Sequence, residues 1–192
     1  MIARAVVTNR HTSLVVEDAE MVAWFLERGA SPNTRCDLDL TPLSIAVCYS
    51  SMAIIQSLFD QGGCIKFGQL LHHAIRRDLP DQMEVFDLIL SKGPPINHVM
   101  NQEYMYGYYM QRCFGLGTPL QEAAELGKLD MVKRLIEEGA HPLIRNSRGK
   151  VPLGRARDKG QDAVVDYLGP ITAMAEPPAF QFTEGKETTG WS

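Results

Sequence analysis

Apolar residues recur in short bursts at helical spacing, separated by polar turns. Leu129, Val132, Leu135 and Ile136 form one stripe along a predicted helix. That stripe ends at Gly139-Ala140, and the polar run Arg145-Asn146-Ser147-Arg148-Gly149-Lys150 predicts a hairpin turn. Ahead of the stripe, Thr118-Pro119-Leu120 predicts a helix start. Threonine caps the free N–H groups there, and proline fits the first turn because its missing N–H is not needed. Leu120 and Ala123 share a face, and the alanine lets a second helix approach closely. Gly127 ends this first helix, where a positive φ costs glycine little. The unit is therefore helix, turn, helix, hairpin.

The unit repeats. Pro119 falls on Pro152, Leu120 on Leu153, Ala123 on Ala156, Gly127 on Gly160, Val132 on Val165 and Leu135 on Leu168, always at an offset of 33. A single match means little, but six at one offset mark a repeat. Thr41-Pro42-Leu43-Ser44-Ile45-Ala46 opens an earlier copy, and Gly29-Ala30-Ser31-Pro32 matches Gly139-Ala140-His141-Pro142. Leu71-His72-His73-Ala74 stands 28 residues after Leu43-Ser44-Ile45-Ala46, so a third copy is compressed at its start. A single helix pair cannot bury its own apolar face, so copies must stack.

These residues resemble the ankyrin repeat, whose pattern opens T-P-L-H-x-A-A and continues through G-x-x-x-x-V-x-x-L-L-x-x-G-A. Thr118 to Ala140 matches closely, and the style of the chain is similar to irregular ankyrin-repeat proteins of filamentous fungi. The resemblance implies an all-α ankyrin-repeat solenoid of about five stacked helix–turn–helix units with short hairpin loops and one long insertion. The expected domain is 1–174, with copies near 2–33, 34–66, 67–97, 112–144 and 145–172, an insertion at 98–113 and a flexible tail at 175–192. The motif histidine is replaced by Ser44 and Gln121, which removes the usual imidazole-to-hydroxyl links, and Val151 replaces a capping threonine. An irregular array is expected.

The insertion is the least ordinary stretch. From Gly93 to Thr118 is 25 residues, against 12 from Gly139 to Val151. The extra segment holds Tyr104, Tyr106, Tyr108 and Tyr109 among methionines. One reading is a binding loop or lid, since long loops are often functional and Tyr and Met make adaptable contacts. The other is a local cover, an extra helical turn shielding the seam between copies three and four.

Composition adds limits. The net charge is −4 and the sequence pI about 5.7, which points away from nucleic acid as partner. No apolar run approaches the ~20 residues of a membrane span, and the N-terminus lacks a signal-peptide core. A cytoplasmic or nuclear protein is expected. Cys36, Cys48, Cys64 and Cys113 show no C-x-x-C pair and are expected as reduced thiols in or near the core. No metal site and no cofactor are expected. Asp37 and Asp39, like Glu122 and Glu125, are expected as solvated charges.

No catalytic motif stands out. Residues His72 and His73 point about 100° apart on a helix and cannot ligate one metal in the usual i, i+4 manner. One of them takes the motif's structural place. The resemblance implies binding through hairpin tips and the exposed side of each first helix. That maps a partner surface onto Leu38, Leu40, Tyr49, Arg76, Arg77, Phe114, Glu125, Leu126 and Arg148, joined by Tyr104, Tyr106, Tyr108 and Tyr109 of the insertion. The expected function is a non-enzymatic module that binds another protein through its concave face and hairpin tips. The alternative is a small-molecule enzyme or binder with a pocket under 98–113, where His72, His73 and Tyr108 would be the catalytic candidates.

Overall fold

A computed structural model describes residues 19–36 and 39–178. The expected tail beyond 178 and the start of the first copy lie outside the described residues. The described elements are α1 (Ala19–Glu27), α2 (Pro42–Tyr49), α3 (Met52–Asp60), α4 (Leu70–Arg76), α5 (Gln82–Ser91), α6 (Met105–Gln111), a 3-10 turn (Arg112–Phe114), α7 (Pro119–Glu125), α8 (Leu129–Glu137), α9 (Pro152–Asp158) and α10 (Asp162–Met174). Among the described residues every regular element is helical.

First helices α2, α4, α7 and α9 stand in a row, each packed on the next and on its own second helix. Their alanines make that row possible: Ala46, Ala74, Ala123 and Ala156 have no exposed surface. Second helices contribute Ile55, Leu58, Phe86, Ile89, Val132, Leu135, Val164 and Leu168 to one continuous core. Each such side chain stabilises the fold by about 1.5–3 kcal/mol through burial. The Thr-Pro starts behave as their chemistry dictates. Thr41 Oγ1 accepts from Ser44 N at 3.0 Å while Ser44 Oγ accepts from Thr41 N at 2.6 Å. Thr118 and Gln121 form the same reciprocal cap, whereas Val151 offers no side-chain cap to α9.

Substitution of the motif histidine does not cut the copies apart. Gln121 Nε2 donates to Ile144 O at 3.2 Å and Lys150 O at 2.6 Å, across to the next hairpin. His72, in the same place of copy three, lies 3.0 Å through Nε2 from Gly117 O. Asparagine side chains add staples. Asn33 donates to Gly62 O at 2.8 Å and accepts from Cys64 N at 2.7 Å. Asn97 repeats this with Gly139 O at 3.2 Å and His141 N at 2.8 Å.

The C-terminal carbonyls of each first helix are closed by the following copy. Arg77 donates to Val47 O and Ser50 O at the end of α2. Lys128 Nζ donates to Ile75 O at 2.7 Å and Arg77 O at 2.8 Å at the end of α4. Gln161 Nε2 donates to Glu125 O at 3.3 Å at the end of α7. Free helix-end carbonyls need such donors, and a cation there also meets the negative end of the helix dipole.

The insertion has a small core of its own. Val99, Met100, Tyr108 and Leu116 are buried together, with Ile144 packed against them. Gly107 sits against the Tyr104 ring, where an added Cβ would come within 2.7 Å of it. Asn101 fixes the segment to the stack: its N–H donates to Gln69 Oε1 at 2.8 Å, and its Nδ2 donates to Gln111 Oε1 at 3.0 Å. Gln69 Nε2 also reaches Asp39 Oδ2 at 3.3 Å. Asp39, Gln69 and Asn101 all hold positive φ, at 59°, 52° and 61°. Such backbone is rare outside glycine and is retained where side-chain bonds over-determine it. Asp39, expected as a solvated charge, is 7% exposed because it is bonded to Arg35 and Gln69.

Candidate functional site

A groove of about 690 Å³ runs along the hairpins and the first helices of copies two to five. Leu40, Gln69, His73, Arg76, Phe114, Glu122, Glu125, Leu126 and Arg155 contribute to its walls, with Met100, Asn101 and Gln111 entering from the insertion. Five residues expected on a partner surface therefore meet here: Leu40, Arg76, Phe114, Glu125 and Leu126. Phe114 is 71% exposed and Leu126 44% exposed. Both positions follow from local structure. Phe114 closes the 3-10 turn and is released by Gly115 at φ +79°, while Leu126 caps α7 just before Gly127 at φ +69°.

The ionic groups of the groove are matched within it. Arg76 donates to both carboxylate oxygens of Glu122, at 2.6 and 3.1 Å. Glu125 is held by Arg155 and, at 3.3 Å, by Lys159. These carboxylates are part-buried partners rather than the solvated charges expected. His73 stands on the wall between copies three and four. Burial, and after it the charge of Arg76, push its pKa down to about 3, so the ring is neutral. No side-chain hydrogen bond holds that ring among the described residues.

Two expected contact residues are elsewhere. Arg77 is 1% exposed and spends its guanidinium on Asp81 and on the end of α2. It is an internal strut because, just past the end of α4, its side chain reaches back to the terminal carbonyls of α2. Tyr108 is 3% exposed and fills the core of the insertion, which removes it from both the contact surface and the catalytic candidates. Likewise His72 is buried and committed to Gly117, and burial lowers its pKa. Tyr106 and Tyr109 are exposed, Tyr104 is half-buried against Tyr106, and none of these rings lines the groove. Tyr49 and Arg148 are exposed on neighbouring surface, and Leu38 lies outside the described residues. Cys48 is buried, Cys36 and Cys64 are half-buried, and Cys113 is exposed, away from the core expected for it. Among the described residues no group of three His, Cys, Asp or Glu could hold a metal ion, and no helix is long and apolar enough to cross a membrane.

The ankyrin repeat family model matches residues 117–147, which span the Thr118 cap, α7, α8 and the following hairpin. The fold is an ankyrin-repeat stack. The ankyrin repeat protein nuc-2 of Neurospora crassa is 28% identical over 139 residues, covering 71% of this chain and 12% of that protein. A mitochondrial disaggregase of Bos taurus is 24% identical over 141 residues, covering 73% of this chain and 20% of that protein. A putative E3 ubiquitin-protein ligase, XBAT34 of Arabidopsis thaliana, is 44% identical over 57 residues, 30% of this chain and 15% of that protein. The chain thus spans no more than a fifth of these relatives' lengths. Ankyrin repeats generally mediate contacts between proteins, and the groove lies along the hairpins and first helices of this stack.

Proposed function

We propose that the chain is a non-enzymatic ankyrin module that holds a partner protein in the groove lined by Leu40, Phe114 and Leu126. One observation carries this reading. Phe114 and Leu126 of copy four stand exposed and Leu40 of copy two half-buried around one open groove, where an inert surface would carry polar residues. Exposed aromatics at the centre with ion pairs beside them are the usual anatomy of a contact surface. The test is a photo-cross-linking amino acid placed at Phe114, with adducts compared before and after Leu126→Arg. Discrete protein adducts that disappear in the variant support the reading. Adducts that persist unchanged, or none at all, sink it.

One observation favours a second reading, a small-molecule enzyme or binder. The imidazole of His73 stands on the groove wall without a side-chain hydrogen bond, free to bond a polar group of a small ligand. What it lacks among the described residues is a carboxylate bonded to its ring. A metabolite that raises the melting temperature of the wild type and not of His73→Phe would favour this reading over the first.

A further inference from the structure

The chemistry of the groove narrows what it takes. Its ionic lining consists of Arg76 and Arg155 against Glu122 and Glu125, each cation bonded to a carboxylate of the same groove. No net charge is left to attract a charged partner, and a charged side chain entering would have to break an existing pair or lose its water uncompensated. The remaining lining is apolar, from Leu40, Met100, Phe114, Leu116 and Leu126, or amide, from Gln69, Asn101 and Gln111.

The flank agrees independently. α6 reads Met-Tyr-Gly-Tyr-Tyr-Met-Gln and holds no charged residue. Met105, Tyr106, Tyr109 and Met110 are each more than half exposed, and at 100° per residue they fall within one arc of about 140°. Gln111, at the end of the same helix, and Phe114, just beyond it, line the groove. The His73 ring, which has no side-chain bond among the described residues, keeps hydrogen-bonding capacity on the groove wall.

Resting on the partner-holding reading above, we infer that the occupant is an uncharged stretch of polypeptide. Its apolar side chains lie against Phe114, Leu126 and the α6 face, and a main-chain or side-chain amide bonds to His73. Neutral complementarity makes this a contact of slow, salt-indifferent association, unlike one steered by opposite charge.

The probe is a library of random peptides displayed on phage and selected on the full chain. Enriched sequences should be rich in aromatic and aliphatic residues and free of charged runs. Affinity of the best synthetic peptide should change less than about twofold from about 0.1 M to about 1 M NaCl, a range that shortens the Debye length from about 10 Å to about 3 Å. Phe114→Asp and Leu126→Asp, at exposed positions that leave the helical circular dichroism intact, should each weaken it tenfold or more. Enriched peptides with acidic or basic runs, or a tenfold salt effect, would overturn the neutral occupant while leaving the partner-holding reading intact. Peptides that bind both variants as well as wild type would place the occupant elsewhere and overturn the inference. No enrichment, with Phe114 adducts still lost in Leu126→Arg, overturns a linear occupant but not the module. A dimer in light scattering that Phe114→Asp dissolves would name a second copy instead, and overturn it too.

Discussion

Arg76 and Arg77 are neighbours with opposite surroundings, so truncating each in turn is a controlled comparison. Arg77 donates to Asp81 twice at 2.8 Å, to Val47 O at 3.0 Å and to Ser50 O at 2.8 Å, from a side chain 1% exposed. Arg77→Ala strands two helix-end carbonyls, vacates the space of a buried stem and leaves Asp81 unpaired. Breaking a buried pair from one side costs about 3–5 kcal/mol. Asp81 is 30% exposed and can recover water, which puts the expected cost at about 3–4 kcal/mol. For a chain of this size that is a fall in melting temperature of roughly 6–16 °C. Arg76→Ala removes a bidentate pair of similar length, but its side chain is 41% exposed, so the expected cost is about 0–1 kcal/mol. Urea unfolding followed by far-ultraviolet circular dichroism measures both. Hydrogen exchange across α2 and α3 checks whether the loss is local, since stacked repeats can open piecewise. Equal effects, or an Arg77→Ala cost below about 1 kcal/mol, would refute the strut.

Burial holds the pKa values of His72 and His73 below the ordinary 6.5, in His73 at about 3. The folded chain therefore binds fewer protons than the unfolded one below about pH 6.5, so stability is full above that pH and falls as pH drops through it. Urea midpoints measured from about pH 7.5 to about pH 5 should decline less steeply in the His72→Gln/His73→Gln double variant; equal slopes would show that these rings are not held neutral. Tyr108→Ala should empty the core of the insertion at a cost of about 3 kcal/mol confined to that segment, read as faster proteolysis between residues 98 and 116 with little change at α8 and α10. A protease pattern identical to wild type would contradict the buried position of Tyr108.

What could be read from the chain was local. The Thr-Pro starts, the glycine ends and the apolar stripes of second helices encode their own geometry, and Thr41, Thr118, Gly127 and Val132 stand where their chemistry puts them. Arg77 was illegible because its partners, Val47 O and Ser50 O, belong to the preceding copy, and a residue just past a helix end has no periodicity to say which way it points. Tyr108 was illegible for another reason: α6 is apolar all round, so period alone cannot say which ring turns inward. The staples were legible and missed. Asn33 and Asn97 each stand four residues after a helix-ending glycine, Gly29 and Gly93, and that shared spacing was a signal. Positive φ at Asp39 and Asn101 falls on residue types that tolerate it, but at Gln69 it left no mark in the sequence.

Closure of each first helix by the copy that follows gives the stack a direction in time. A ribosome releases the end of α2 well before it releases Arg77, which lies 27 residues beyond Ser50. The end of α4 waits for Lys128, 51 residues beyond Arg77, and the end of α7 for Gln161, 36 residues beyond Glu125. During synthesis every finished copy thus has an unfinished edge, and the longest wait falls on α4 while the Tyr-rich insertion is being made. A nascent chain stalled inside that insertion would carry α4 with its terminal carbonyls still open to water, a state in which chaperone capture and degradation compete with growth.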